Sequence, residues 1–276
     1  HLGFNLALIV VFLPLLGPVA RLVEMVLPRS QDQERQVNHL DEGILDTPSL
    51  ALAGAAREAL LVGDLVHEML ERSLNALKEP DLKARDAIAS LDDEVDSRQH
   101  AIKLYVAKLK TRELSDEEQR RCDEIISYAI NLEHVGDIVD RNLSRAVAKC
   151  AERQVRFSDA GRAEIIGLYE KSLANMQLAQ SVFLTRKPEL ARQLMEAKVE
   201  VRHYEFNSLS RHMARVQEQR LETLESSTLH LDILRDLKSL NAHLASVAYP
   251  ILDEMGVLRE SRLRSPKKAE KKPAAF

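Results

Sequence analysis

The chain has 276 residues, enough for one large domain or two of ordinary size. Glycine and proline are scarce at nine each, aromatic residues make up 4% and charged residues 30%, which is typical of long, surface-charged helices. The net charge of −4 argues against a nucleic-acid binder, which would show a basic excess.

The first element is an uncharged segment. Residues 2–20 contain no charged side chain, and a helix needs about 20 apolar residues to cross a bilayer. We predict a transmembrane helix over residues 1–27, because a signal peptide would show a basic start and a small-residue cleavage site. Its internal asparagine and prolines favour packing against further membrane helices outside this chain. The arginines that follow it predict that the next part lies in the cytoplasm.

Six helices are predicted after a polar linker over residues 28–47, because apolar residues recur at helical spacing and no strand-like alternation appears. The predicted helices are 48–79, 81–110, 115–150, 158–185, 188–220 and 227–255. Thr47 and Pro48 favour a helix start, Ser115 and Glu118 form a capping-box pattern, and Gly256 favours a helix end. Residues 259–276 are basic and are predicted to be a disordered tail. The expected fold is all-α.

An internal repeat divides the helices into two units. The segment LDDEVDSRQ at 91–99 lies over MEAKVEVRH at 195–203, with apolar, acidic and arginine positions in register. We predict two three-helix bundles with short loops, over residues 48–150 and 151–258.

The segment NLEHVGDIVDRN carries the most distinctive chemistry. Glu133 and Asp137 are four residues apart and lie on one helix face, where two carboxylates repel unless a cation is near. Gly136 between them allows another backbone or a ligand to come close. The pattern predicts either a metal or ion-pair site or a solvated rim paired with Arg141. His134 is a further candidate ligand, although a lone histidine is more often a surface residue.

No catalytic motif appears: the sequence lacks a nucleophile–base pattern, a glycine-rich phosphate loop and HExxH, so we expect no enzyme. Cys122 and Cys150 have no CxxC spacing, which favours small buried thiols over a disulfide.

The sequence resembles a known family in two places. The PhoU domain of bacterial phosphate regulation resembles this chain in two respects: the two three-helix units with acidic pairs, and the segment NLEHVGDIVDRN. The opening HLGFNLALIVVFLPLLGPVARLVEMVLP resembles the last membrane segment of bacterial type II sodium/phosphate cotransporters. TPSLALAGAAREAL and RDLKSLNAHLASVAYPIL resemble the PhoU-like tail fused to those transporters.

The resemblance implies a metal site in each unit. In the first unit the acidic positions are Asp92, Asp96, Glu133 and Asp137, with Asp140 beside them. These oxygen ligands suit a divalent metal or iron. In the second unit only the pair Glu196 and Glu200 remains, since Lys238 and Ala242 replace the other pair. The second site is therefore the weaker candidate.

The resemblance also implies a function. The chain is expected to be the C-terminal portion of a sodium-dependent phosphate transporter in the bacterial inner membrane, with the ion sites upstream and a cytoplasmic regulatory domain. The alternative is a membrane-anchored PhoU-like adaptor that regulates phosphate uptake or signalling without transport. Expected partners are membrane lipid, upstream transporter helices and a phosphate-signalling protein, and a homodimer stays open.

Overall fold

The computed structural model describes residues 39–256 except 80, 82 and 220. The predicted membrane helix over 1–27, the first part of the linker, and the basic tail over 259–276 lie outside the described residues. Among the described residues, no helix is both long and apolar enough to cross a membrane.

All regular secondary structure in the described part is helical, as predicted. Its α-helices are α1 Pro48–Lys78, α2 Ala84–Leu109, α3 Asp116–Asp137, α4 Arg145–Glu152, α5 Asp159–Thr185, α6 Pro188–Gln217, α7 Leu221–Leu244 and α8 Ala248–Glu254. A π-helical segment, Ile138–Ser144, joins α3 to α4, and a 3₁₀ segment, Ala245–Val247, joins α7 to α8. The chain therefore runs as three long helices followed by three more.

The helix starts follow the capping residues. Thr47 and Pro48 open α1, and the Ser115 hydroxyl accepts a hydrogen bond from the Glu118 amide while the Glu118 carboxylate accepts one from the Ser115 amide. Gly256 has a φ of +65° after the last helix, a conformation that favours glycine. The predicted helix ends at these positions are confirmed.

The start of α7 was predicted wrongly. The helix begins at Leu221, before the predicted Ser227. The Ser226 hydroxyl donates to the Glu222 carbonyl one turn back, and Ser227 contacts His212 at 2.8 Å. These serines make helix-internal and tertiary bonds instead of capping an end.

Two local departures from α geometry occur in the third helix of each half. In the first half the helix widens into the π segment after Asp137. In the second half it tightens into the 3₁₀ segment before Pro250, whose ring nitrogen cannot donate to the previous turn. The helix thus departs from α geometry just before Pro250.

One hydrophobic core joins the two halves. Tyr169 of α5 is fully buried and its hydroxyl lies 2.9 Å from the Ser73 hydroxyl of α1. Tyr128 of α3 stacks on Phe183 of α5, with ring centroids 4.1 Å apart. The boundary predicted at 150/151 falls near the end of α4, and the division into two separate bundles stays a prediction.

The end of the predicted linker packs onto the helices. Leu45 is buried and belongs to the core, and the Tyr105 hydroxyl of α2 donates to the Asp41 carbonyl at 2.9 Å. Lys108 pairs with Glu42 at 2.5 Å. Residues 39–47 are thus fixed against the first half.

Candidate functional site

The acidic face of α3 carries a group with metal-ligand geometry. Glu133, His134 and Asp137 each offer one ligand atom, and these atoms all lie within 4.8 Å of one another. His134 Nδ1 is 3.1 Å from Glu133 Oε2, and Arg141 Nη2 is 2.8 Å from Asp137 Oδ1. The helix repeat places Glu133 and Asp137 one turn apart, and His134 lies at the edge of the same face.

Asp92 of α2 lies against this face because α3 has a glycine there. A Cβ atom at Gly136 would lie 3.0 Å from Asp92 Oδ1 and 3.6 Å from a methyl of Val95. Asp92 is only 7% exposed, and its Oδ1 has no hydrogen-bond partner among the described residues. A buried carboxylate oxygen without a donor is costly in a folded protein, so a bound cation would satisfy a real deficit.

The carboxylates of α2 and α3 perturb each other's ionisation. Burial raises the pKa of Asp92, and Asp96, Asp140 and Asp137 raise it further, to about 7. Arg141 opposes this shift only in part. Burial and Asp137 also raise the pKa of Asp96. The site therefore holds more negative charge than its neighbours neutralise, and this charge favours a cation.

The structure brings together only part of the predicted first-unit set. Glu133 and Asp137 share a ligand group with His134, whereas Asp92 and Asp96 lie outside that group and interact with Asp137 electrostatically. Carboxylate oxygens with one imidazole suit Mg²⁺, Mn²⁺, iron or zinc. Glu133, His134 and Asp137 therefore fit a divalent metal, and the unpartnered Asp92 oxygen on α2 adds negative charge beside them.

His243 was not identified as a candidate from the sequence. This α7 residue lies with its ring centroid 5.2 Å from that of His134, and its Nδ1 is 3.0 Å from Asn131 Oδ1. Burial lowers the pKa of His243, as does the nearby His134. Because the two histidines are far apart in the chain, only the packing of α7 on α3 brings the second half to the edge of this site.

The second-unit candidates are arranged differently. Glu196 and Glu200 are both exposed on α6, and Glu200 lies 3.5 Å from Lys171. Lys238, at the position matching Glu133, pairs with Glu205 at 2.7 Å. Neither glutamate belongs to a three-ligand group among the described residues. The second half thus has ion pairs at this position.

A second polar cluster, not predicted from the sequence, lies between α5, α6 and α7. Glu164 is 6% exposed and accepts hydrogen bonds from Arg215 at 3.0 and 2.8 Å and from Arg211 at 2.8 Å. Burial alone would raise the pKa of Glu164, but the two guanidinium groups hold it below its usual range. His230 Nε2 is 3.3 Å from Glu164 Oε2, and the His230 ring stacks on His212 at 4.4 Å.

The buried His230 predicts acid lability. Burial lowers its pKa to about 4, and His212 contributes to the shift although Glu164 opposes it. Between about pH 6.5 and 4 the unfolded chain binds a proton that the folded chain does not, so stability falls as pH falls. Urea unfolding measures this loss. We expect the fall in the free energy of unfolding between about pH 6.5 and 4 to be smaller in His230→Gln than in the wild type, by about 2 to 3 kcal/mol.

The exposed His203 of α6 provides the matched control for this measurement. His203→Gln should leave the pH dependence of unfolding as in the wild type, because it leaves the buried His230 unchanged. A His230→Gln profile as steep as that of the wild type would contradict the expectation.

The chain is similar in sequence to proteins of known family. Residues 60–145 match the PhoU domain family. Over 256 residues, which are 92% of the chain, it is 37% identical to the Escherichia coli (strain K12) protein named "Putative inorganic phosphate export protein YjbB" and 36% identical to the Salmonella typhimurium protein of that name. The chain spans about half of the length of these relatives, 47%.

Two solved structures share the fold. PhoU from Pseudomonas aeruginosa superposes with a TM-score of 0.68 at 18% identity, over 74% of this chain and 97% of that one. The phosphate transport system regulatory protein PhoU from Streptococcus pneumoniae gives 0.68 at 20% identity, over 78% and 100%. The resemblance to the PhoU domain is confirmed, and that to type II sodium/phosphate cotransporters stays a prediction. The chain has the PhoU fold, carries a PhoU domain and is homologous to about half of the named phosphate export proteins.

Proposed function

We propose that this chain is the non-catalytic, regulatory part of a membrane phosphate transporter and lies on the cytoplasmic face of the bacterial inner membrane. The homology to proteins named for phosphate export, which extend well beyond this chain, supports an attached translocating part. The uncharged segment at 2–20 supports a membrane connection. Sodium coupling rests on the resemblance of the opening segment to type II sodium/phosphate cotransporters.

The observation that supports a regulatory role is the cluster of carboxylates on α2 and α3, whose negative charge exceeds the positive charge nearby. Asp92 Oδ1 is buried without a hydrogen-bond partner among the described residues, and burial together with three carboxylates raises the pKa of Asp92. A divalent metal or iron bound by Asp92, Asp96, Glu133 and Asp137 would supply the missing positive charge and link the two helices. A regulator must bind one state of its target more tightly than the other. The metal would fix the face that a transporter loop or a phosphate-signalling protein recognises.

Replacing Glu133 and Asp137 together tests this proposal. Both side chains are 24% exposed, so Glu133→Ala/Asp137→Ala should fold like the wild type. We expect the double variant to bind Mn²⁺ at least about tenfold more weakly, which corresponds to about 1.4 kcal/mol, because two ligands are lost. Calorimetric titration measures the affinity, and phosphate flux through cells that carry the intact parent protein measures the consequence.

The chain offers a matched control in the same chemistry. Glu196→Ala/Glu200→Ala removes an i,i+4 carboxylate pair that lies exposed on α6. It should leave Mn²⁺ affinity and phosphate flux as in the wild type. Unchanged metal affinity and flux in the Glu133/Asp137 variant would contradict the metal and its role. Phosphate flux that does not respond to sodium would remove only the proposed coupling, and absence of flux by the parent would favour an adaptor.

A further inference from the structure

A pocket of about 280 Å³ lies where the two halves of the chain meet. The end of α1, the helix α4, the connection after it and the start of α5 form its walls. Its floor is apolar and consists of Ala76, Leu77, Val147, Cys150, Ala151, Val155 and Phe157. Burial raises the pKa of the Cys150 thiol to about 11, so at neutral pH this side chain adds uncharged surface.

Small side chains account for the opening. Ala76, Ala84 and Val147 form a minor apolar cluster apart from the main core, at the ends of α1, α2 and α4. A second cavity of about 130 Å³ adjoins the pocket and shares Ala76, Val147 and Ala151 with it. The pocket is slightly smaller than the range of about 300–1,000 Å³ that is typical of ligand sites, so it suits a small group.

Lys78, Arg156 and Arg162 line the pocket around the apolar floor, and none of the described residues that line it is a carboxylate. Arg162 Nη2 donates to the Lys78 carbonyl at 2.8 Å, and Lys78 Nζ is 3.5 Å from Glu170. Arg156 is exposed and has no hydrogen-bond or ion-pair partner among the described residues. Lys78 is thus paired with a carboxylate, whereas the guanidinium groups of Arg156 and Arg162 have no ion-pair partner among the described residues. Guanidinium groups bind phosphate oxygens with paired N–H donors. The apolar pocket beside these arginines could hold an apolar group attached to the phosphate.

We propose that this pocket binds an amphiphilic organophosphate, with the phosphate against Arg156 and Arg162 and the apolar group on the floor. The ligand would touch α1 and α4 of the first half and Phe157 and Arg162 at the entry to the second. Its binding would stabilise the junction between the halves, because a ligand that binds only the folded state adds to its stability. The apolar group belongs to an alkyl chain or a nucleobase, and both present the same pairing of phosphate and apolar surface.

Three probes test the proposal by calorimetric titration of the whole chain. Octyl phosphate, used below its micelle concentration, represents the lipid-like ligand, AMP represents the nucleotide, and inorganic phosphate lacks an apolar group. We expect saturable binding of octyl phosphate or AMP, accompanied by a higher Tm, and at least tenfold weaker binding of inorganic phosphate. Preference for one organic probe identifies the source. Equal affinity for inorganic phosphate, or no saturable binding of either organic probe, would overturn the proposal.

Two variants locate the binding. Arg156→Glu should weaken binding of the preferred probe at least tenfold, and Ala151→Phe should weaken it by filling the pocket without a change in charge. Arg153→Glu is the control, because Arg153 is an exposed arginine of the same segment that does not line the pocket. Thermal unfolding of each variant establishes that it folds. Wild-type affinity in Arg156→Glu, or equal weakening in Arg153→Glu, would place the binding elsewhere and defeat the proposal.

Discussion

Asp92→Asn is expected to stabilise the protein in the presence of a metal chelator at pH 8, by about 2 to 4 kcal/mol. Burial and three neighbouring carboxylates raise the pKa of Asp92 to about 7 from the ordinary value of 3.8. Below about pH 4 the group is protonated in both states and contributes nothing. As pH rises from about 4 to 7, the unfolded chain loses this proton first, so stability falls, and above pH 7 the full cost is present.

Urea unfolding at a series of pH values measures this difference. The stability gained by Asp92→Asn should grow from near zero at pH 4 to its maximum above pH 7. With excess Mn²⁺ the order should reverse, because the wild type alone retains the Asp92 ligand. Asp93→Asn, at the exposed neighbouring position, is the control and should change stability by less than about 0.5 kcal/mol. Equal stability of Asp92→Asn and wild type at pH 8 with chelator would show that Asp92 is not under electrostatic stress.

Glu164→Ala is expected to destabilise the fold by about 3 to 5 kcal/mol. The variant would leave the guanidinium of Arg215, which is 8% exposed, buried without its carboxylate partner. It would also remove the acceptor of Arg211 and the charge next to His230. For a domain of this size, a loss of about 3 kcal/mol lowers Tm by roughly 6 to 12 °C. Calorimetry or thermal circular dichroism measures the shift.

Glu170→Ala on the same helix is the matched control for this measurement. Glu170 is exposed and lies 3.5 Å from Lys78, a surface ion pair of the kind that contributes at most about 1 kcal/mol. Its Tm should stay near that of the wild type. If the Tm of Glu164→Ala equalled that of Glu170→Ala, the buried cluster would not stabilise the fold as its geometry implies.

The helices could be predicted from the sequence because their signals are local. Pro48 has no amide hydrogen to leave unsatisfied in the first turn of α1, and Ser115 and Glu118 satisfy free amides at the start of α3. These effects do not depend on the rest of the chain. The start of α7 was missed because Ser226 and Ser227 have the composition of a helix start but bond inside the helix and to α6. That choice depends on tertiary packing.

The acidic site was predictable only in part, for the same reason. The i,i+4 spacing of Glu133 and Asp137 places both on one face without knowledge of the fold. The burial of Asp92 could not be predicted, since it requires α2 to approach α3 at Gly136. Contacts between helices that are distant in sequence bring His243 to this site. Contacts of the same kind form the second cluster, which contains Glu164, Arg215 and His230. Pattern within one helix carries no information about them.

The π-helical segment Ile138–Ser144 and the 3₁₀ segment Ala245–Val247 lie in the third helix of each half of the predicted repeat. A π turn holds more residues than an α turn and a 3₁₀ turn holds fewer, so the side chains beyond the two turns are rotated in opposite senses about their helix axes. If one half replaced the other in a chimera, the side chains at the end of its third helix would point in a different direction about the helix axis from those they replace. A ligand that recognises the last helical residues of one half would therefore not meet the same arrangement of side chains in the other half.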